Sequence, residues 1–302
     1  MIKTLLTTIM LTGLFFQSSA QSGYDEIYDF NEGMALVSTN GKWGFIDESA
    51  KLVIPLKYDD AYSFIDGLAL VVKNNKYGYI NKEGVEIVPL KYDWAYRRFM
   101  REEVAWVSIG DNYGLVNKEG KEITPIKYQL YGDFLENVED LLFSEGLVAV
   151  HVGDWESGKS GYLDTTGKEA LAFIYTRAHQ FSNGLASVER DGKSGYIDRT
   201  GKEITSLKYD EAWTFSEGIA KVKLNGKYGV VDTSGKEIVP IQYNTIRNFS
   251  EGLAVVGKDG KYGYIDTTGQ LVFPIKYDDA DPFYNGKAKV EEDGKTFYIY
   301  KQ

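Results

Sequence analysis

The chain has 302 residues, no cysteine, and 44 acidic against 34 basic residues, a formal charge of −10. The missing cysteines exclude disulfides, thiolate metal sites and cysteine nucleophiles. The acidic balance, with no basic run to offset it, argues against nucleic acid or an anionic membrane as partner.

The first element is not part of a fold. Lys3 precedes a 12-residue apolar run, Leu5 to Phe16, which ends in the small residues Ser18-Ser19-Ala20. That pattern reads as a secretory signal peptide over residues 1–20, cleaved between Ala20 and Gln21. The run is too short for a membrane span, which needs about 20 residues. A lipid anchor at the cleavage site would need a cysteine, so the sequence predicts an exported, periplasmic or extracellular protein that is neither membrane-inserted nor lipid-anchored. Cleavage would leave 33 basic and 44 acidic residues, a formal −11.

From Tyr24 onward an aromatic-Gly dipeptide, or its stand-in, recurs. The copies are Trp43-Gly44, Tyr77-Gly78, Tyr113-Gly114, Ser160-Gly161, Ser194-Gly195, Tyr228-Gly229 and Tyr262-Gly263, with a degenerate eighth at Thr296-Phe297. The spacings are 34, 36, 47, 34, 34, 34 and 34. A fixed period of this size marks stacked supersecondary units, each too small to bury its own apolar face. Glycines break every unit several times and β-branched and aromatic residues fill the gaps, so no helical stripe survives.

The unit from Phe249 to Asp278 shows the predicted elements. Leu253 to Val256 reads as a strand. Asp259-Gly260 reads as a type I′ hairpin turn, a slot held elsewhere by Asn40-Gly41, Asp191-Gly192, Asn225-Gly226 and Asp293-Gly294. Lys261 to Asp266 is the second strand, with Gly263 marking close approach of a neighbouring ring or backbone. A turn over Asp266-Thr-Thr-Gly269 leads to a third strand, Leu271 to Phe273, which is expected to end at Pro274 because proline cannot donate to a ladder. Five of the six prolines occupy this slot. The following Lys-Tyr-Asp-x-Ala-x-x-Phe stretch reads as a short fourth strand or an ordered loop.

The fold expected is therefore all-β, one domain over residues 21–302 built as a tandem array of eight antiparallel β-meander repeats. Neither end carries a spare strand to complete the other, so an open, twisted solenoid is expected rather than a closed propeller. Insertions near 129–142 and 152–159 interrupt the register around the fourth unit. The units, with Gly41-Lys42-Trp43-Gly44-Phe45-Ile46-Asp47 as the closest copy, resemble the WG-repeat family of bacterial proteins over nearly the whole exported chain. That resemblance implies a β-rich fold and a binding or interaction role, and it transfers no catalytic residue.

Gly153-Asp154-Trp155-Glu156-Ser157-Gly158-Lys159-Ser160 satisfies the phosphate-loop pattern, but that loop works between a strand and a helix. The repeat register sets it in a hairpin instead. His151 and His179, the only histidines, fall in different slots, which provides neither a triad nor a zinc site. Paired carboxylates such as Asp59-Asp60 and Asp278-Asp279 recur with the repeat and are assigned to turns and solubility. No catalytic residue, cofactor or metal is expected.

The most suggestive slot follows a small apolar residue in each connector. It holds Tyr28, Tyr62, Tyr96, His179 and Trp213, then Arg247 and Asp281, while the preceding slot stays apolar (Ile27, Ala61, Ala95, Ala178, Ala212, Ile246, Ala280) and should be buried. The first five are the candidate ligand-binding residues, an aromatic ladder able to stack on sugar rings or grip an extended partner. Packing at repeat junctions would account for the same pattern. The function expected is a non-catalytic binding scaffold for a protein or a cell-envelope glycan. An envelope glycan hydrolase and a purely structural component are the alternatives.

Overall fold

The computed structural model describes residues 23–130 and 143–301. The signal-peptide reading and most of the first insertion lie outside the described residues. Two compact units are formed, one by the residues up to Phe99 with Lys118–Gly120, the other by Met100–Asn117 and the residues from Lys121 on. Both are all-β, and no helix occurs among the described residues.

The first sheet is a four-stranded antiparallel meander, β1 Glu26–Ile27, β2 Met34–Thr39, β3 Lys42–Asp47 and β4 Leu52–Tyr58, hydrogen-bonded in that order. A second repeats it with β5 Asp60–Ala61, β6 Ala69–Lys73, β7 Lys76–Ile80 and β8 Glu86–Tyr92. Four-stranded meanders recur in the second unit over residues 211–243 and 245–277. The connector is thus a two-residue strand, and it opens the next sheet instead of closing its own. Near the insertion, Tyr128–Gln129 pairs with both Asn112–Asn117 and Leu147–Val152, so two meanders merge into one continuous sheet.

Turn chemistry sets this register. In the Asp259-Gly260 hairpin both residues have positive φ, 52° and 80°, which matches the twist of the flanking strands. A second tight turn went unread in the sequence: Glu32-Gly33, with φ of 52° and 81°, closes an Asn31–Met34 bridge, and the equivalent pair recurs at Glu251-Gly252.

The third strand differs from expectation. It runs Leu271–Tyr277, straight through Pro274. Tyr262 faces Tyr277 and Tyr264 faces Phe273, so Pro274, Ile275 and Lys276 bulge opposite Gly263 alone. A bulge leaves residues unpaired, which is why proline's missing N–H is tolerated there. A Cβ on Gly263 would lie 2.7 Å from the Phe273 carbonyl oxygen and 2.9 Å from the Ile275 nitrogen. Aromatic-Gly and proline are therefore two halves of one contact. Where serine replaces the aromatic, at Ser160 and Ser194, the proline slot holds Ala172 and Ser206.

Within a unit, neighbouring sheets stack and bury both faces of the sheets between them, whereas the last sheet leaves Lys287, Lys289 and Tyr298 exposed. Leu253, Val255 and Tyr264 pack forward onto Ala288 and Val290, while the alternate residues Ala254, Val256 and Ile265 pack back onto Val230 and Val239. Ring pairs repeat in this core: Phe45–Phe64, Tyr162–Phe181 and Tyr196–Phe215 have centroids 4.8, 4.9 and 4.7 Å apart. Each such pair adds about 1 kcal/mol beyond area burial. The apolar connector slot is buried at Ala61, Ala95, Ala178, Ile246 and Ala280. It is half-buried at Ala212 and exposed at Ile27, 48%.

Carboxylates fasten the sheets. Asp59 accepts from the Lys42 ammonium of the first sheet and from the Asn74 amide (2.6 Å) of the second. Asp266 accepts from the Thr268 hydroxyl (2.6 Å) and from the amides of Thr268 and Gln270, and Asp47, Asp198 and Asp232 repeat the pattern. The lysine bond in the first case, and the hydroxyl bonds in the others, hold these carboxyls below their usual range. Of the paired carboxylates, Asp59 and Asp278 each bond a lysine and a hairpin-turn amide.

A Gly263→Ala variant is expected to lose about 2 kcal/mol, because the clash is with backbone that cannot rotate away; an unchanged urea midpoint would count against this reading of the dipeptide. A group with a depressed folded pKa contributes stability above its unfolded pKa and loses it as pH falls through the folded value. The urea midpoint should therefore hold steady down to about pH 5 and decline below about pH 4. A flat profile to pH 3 would contradict the carboxylate assignments.

Candidate ligand-binding face

The ladder residues are held through their backbone, His179 and Trp213 at both ends. The N–H donates across to the next strand, as from Tyr62 to the Leu70 carbonyl (2.9 Å), His179 to Ser187 (3.0 Å) and Trp213 to Lys221 (3.0 Å). The carbonyl accepts a phenol from the preceding sheet: Tyr79 to Tyr96, Tyr162 to His179 (2.7 Å), Tyr196 to Trp213 (2.6 Å). Burial pushes the Tyr79 and Tyr196 phenols well above their usual pKa, so they remain donors at any ordinary pH. The side chains project from a rigid frame.

The rings lean on the aromatic of the Trp/Tyr-Gly dipeptide in their own sheet. Tyr28 lies 5.8 Å from Trp43, and Trp213 lies 5.9 Å from Tyr228. Tyr62 carries the Arg97 guanidinium 5.2 Å above its ring, and Tyr96 sits 6.3 Å from Trp94. Junction packing is therefore part of what the slot does. It does not hide the residues: Tyr28 and His179 are exposed, and Tyr62, Tyr96 and Trp213 are half-buried.

Tyr28, Tyr62 and Tyr96 belong to one compact unit, His179 and Trp213 to the other. The structure brings the last two together. Both line a recess of about 280 Å³, together with Arg177, Ser187, Glu189, Ser194, Asp210 and Glu211. On the other side of Trp213 lies a second recess of about 450 Å³, whose lining includes Lys221, Ile246, Arg247 and Phe249. Trp213 walls both. The Lys221 ammonium stands 4.5 Å over the indole and 5.7 Å over Tyr228, and burial there pushes its pKa down. Arg247 donates to the Ala280 carbonyl (2.9 Å) and covers Tyr262, so the cationic slot packs as its aromatic equivalents do.

The sequence reading missed Ser194, Lys221, Arg177 and Glu189 as lining residues. The signal was present in Ser194-Gly195, where a serine replaces the aromatic that would fill the space beside His179.

His151 is buried, not a ligand group. Its ring Nε2 donates to the Asp154 carbonyl (3.1 Å), leaving Nδ1 to accept from the Ser160 hydroxyl (3.0 Å). Trp155 of the insertion stacks on it at 4.6 Å. The phosphate-loop look-alike joins strand Leu147–Val152 to strand Lys159–Asp164, so it is a hairpin turn as expected.

Fold and face together define a tandem β-meander repeat protein with exposed connector aromatics. The WG containing repeat model matches residues 21–43, 43–77, 77–113, 113–138, 161–193, 195–228, 228–262 and 262–295, and the chain belongs to that family. No curated protein matches it in sequence. Among solved structures, it is similar to a eukaryotic initiation factor at 10% identity, covering 91% of this chain and 87% of that one, with a TM-score of 0.36. It is also similar to the extracellular domain of a hybrid two-component system from B. thetaiotaomicron (9% identity, 92% and 51% covered, TM-score 0.28). PorZ, a surface component of the type-IX secretion system of Porphyromonas gingivalis, matches at 7% identity, 92% and 45% covered, TM-score 0.28. The chain spans about half the length of the last two.

Tyr196→Phe is expected to cost about 1 kcal/mol, the worth of the bond to the Trp213 carbonyl. It should also broaden the Trp213 indole resonance in an NMR spectrum. An unchanged midpoint and resonance would mean the phenol does not fix Trp213.

Proposed function

We propose that the protein is an exported, non-catalytic binding scaffold whose partner is a cell-envelope glycan. The observation that carries this reading is Trp213, a half-buried indole forming the common wall of two recesses among hydrogen-bonding side chains. A flat apolar ring beside polar groups suits a sugar, which has an apolar ring face and a polar rim. Tyr28, Tyr62 and Tyr96 extend the same chemistry in the other unit. Export rests on the leader-like sequence of residues 1–20.

The non-catalytic part has its own support. A glycosidase acid needs a raised pKa. Asp210, beside Trp213, is instead held below its usual range by the Lys193 ammonium at 2.7 Å. An aromatic face engaging a protein is the second reading, since the same rings serve as anchors in protein interfaces.

Co-sedimentation of residues 21–302 with isolated envelope polysaccharide tests the proposal, alongside Trp213→Ala and a Tyr62→Ala, Tyr96→Ala, Trp213→Ala variant shown by circular dichroism to be folded. The wild type should pellet with the polysaccharide and the folded triple variant should remain in solution. Equal pelleting of both, or of neither, would overturn the glycan reading, and the second result would turn the search to protein partners.

A further inference from the structure

Two repeats have lost the ring that precedes the repeat glycine, and they treat the vacated space differently. In the fourth, Ser160 lies opposite His151, whose imidazole bonds the serine hydroxyl and carries Trp155 from the insertion stacked on it. In the fifth, Ser194 lies opposite Glu189, no insertion reaches in, and the 280 Å³ recess stands open. The strand that should flank it is also reduced. Residues 203–209 keep only the isolated bridges Ile197–Glu203 and Ser194–Tyr209.

The recess has a polar floor. Ser194 is 93% buried, at 7% exposure, and it lines the recess, so its hydroxyl can exchange water for a ligand hydroxyl.

The charges around it are balanced. Asp210 pairs with Lys193 at 2.7 Å, and Glu211 with Lys223 at 2.6 Å. Arg177 and Glu189 are direct cross-strand partners. An ionic ligand would have to compete with the two ion pairs, whereas a neutral polyhydroxy ring could use the outward lone pairs and N–H groups of these side chains without breaking either. The volume is just under the roughly 300 Å³ at which ligand pockets begin, so it suits one ring rather than a length of chain.

We infer that the Ser194 recess is a subsite for a single neutral sugar ring, stacked on Trp213 with a hydroxyl bonded to Ser194. The inference rests on the glycan reading above and names the ligand chemistry within it. Ser194 is the residue that distinguishes the site, because the sixth repeat carries Tyr228 at this position and the fourth fills the space with His151 and Trp155.

The test is a ¹⁵N–¹H NMR titration of the Trp213 indole with the methyl glycosides of glucose, galactose, mannose and N-acetylglucosamine, and with glucosamine and glucuronate as charged controls. At least one neutral glycoside should produce a saturating shift that the charged sugars do not. Ser194→Tyr, which restores the residue carried by four other repeats, should fold and lose the shift. Ser194→Ala, which removes the hydroxyl without filling the space, should weaken it, and it serves alone if the tyrosine variant does not fold. A shift retained in both variants, a preference for the charged sugars, or no shift with any neutral glycoside would overturn the inference. Co-sedimentation separates the two levels. If Ser194→Tyr pellets with polysaccharide as the wild type does and Trp213→Ala does not, the subsite falls and the scaffold stands; if the wild type does not pellet, the scaffold falls.

Discussion

The cores among the described residues are for the most part shared between neighbouring sheets, and that constraint governs the rest. A meander of about thirty residues exposes apolar side chains on both faces, and each face is buried only when another sheet stacks against it. Tyr264 and Ile265, adjacent in one strand, belong to different cores, one shared forward and one shared back. The aromatic-Gly dipeptide serves this stacking indirectly. Its glycine admits the bulged backbone around proline, which bends the outer strand so that Tyr277 returns to face Tyr262.

Because the repeat is bound so tightly to stacking, functional variation is confined to positions that neither core needs. The connector slot after the buried alanine is one. Its backbone bonds do not involve the side chain, so the side chain changes from tyrosine to histidine, tryptophan, arginine or aspartate while the cross-strand N–H bond is kept at Tyr62, His179, Trp213, Arg247 and Asp281. The dipeptide aromatic is another. It packs against the connector side chain at the margin of the core, and at Ser194, where it is lost, a recess stands beside Tyr196, which is buried against Phe215.

Much of this was legible in the sequence, for definite reasons. The hairpins announced themselves through Asn-Gly and Asp-Gly, which few other conformations would select, and Gly263 was correctly read as a point of close approach. The strand through Pro274 was misread because a proline looks the same in a bulge as at a strand end; the three unpaired residues opposite one glycine are visible only in the register. The Glu-Gly turns were missed because a glutamate at positive φ is not a usual turn signal. His179 and Trp213 were found from slot position alone. Ser194 was not, because its importance lies in an absence, and only the recess gives that absence a shape.

The aspartate that fastens one sheet to the next has a consequence for how force and heat travel along the chain. Asp59, Asp210 and Asp278 each follow the tyrosine that ends a meander, and each reaches the lysine of one sheet. After Tyr128, Tyr175 and Tyr243 the same place holds Gln129, Thr176 and Asn244, none of which can make that ion pair, and the Gln129 side-chain oxygen is buried without a partner among the described residues. Clamped and unclamped joints therefore alternate within the second unit, with two unclamped joints flanking the fourth repeat. Opening fluctuations should begin at those two.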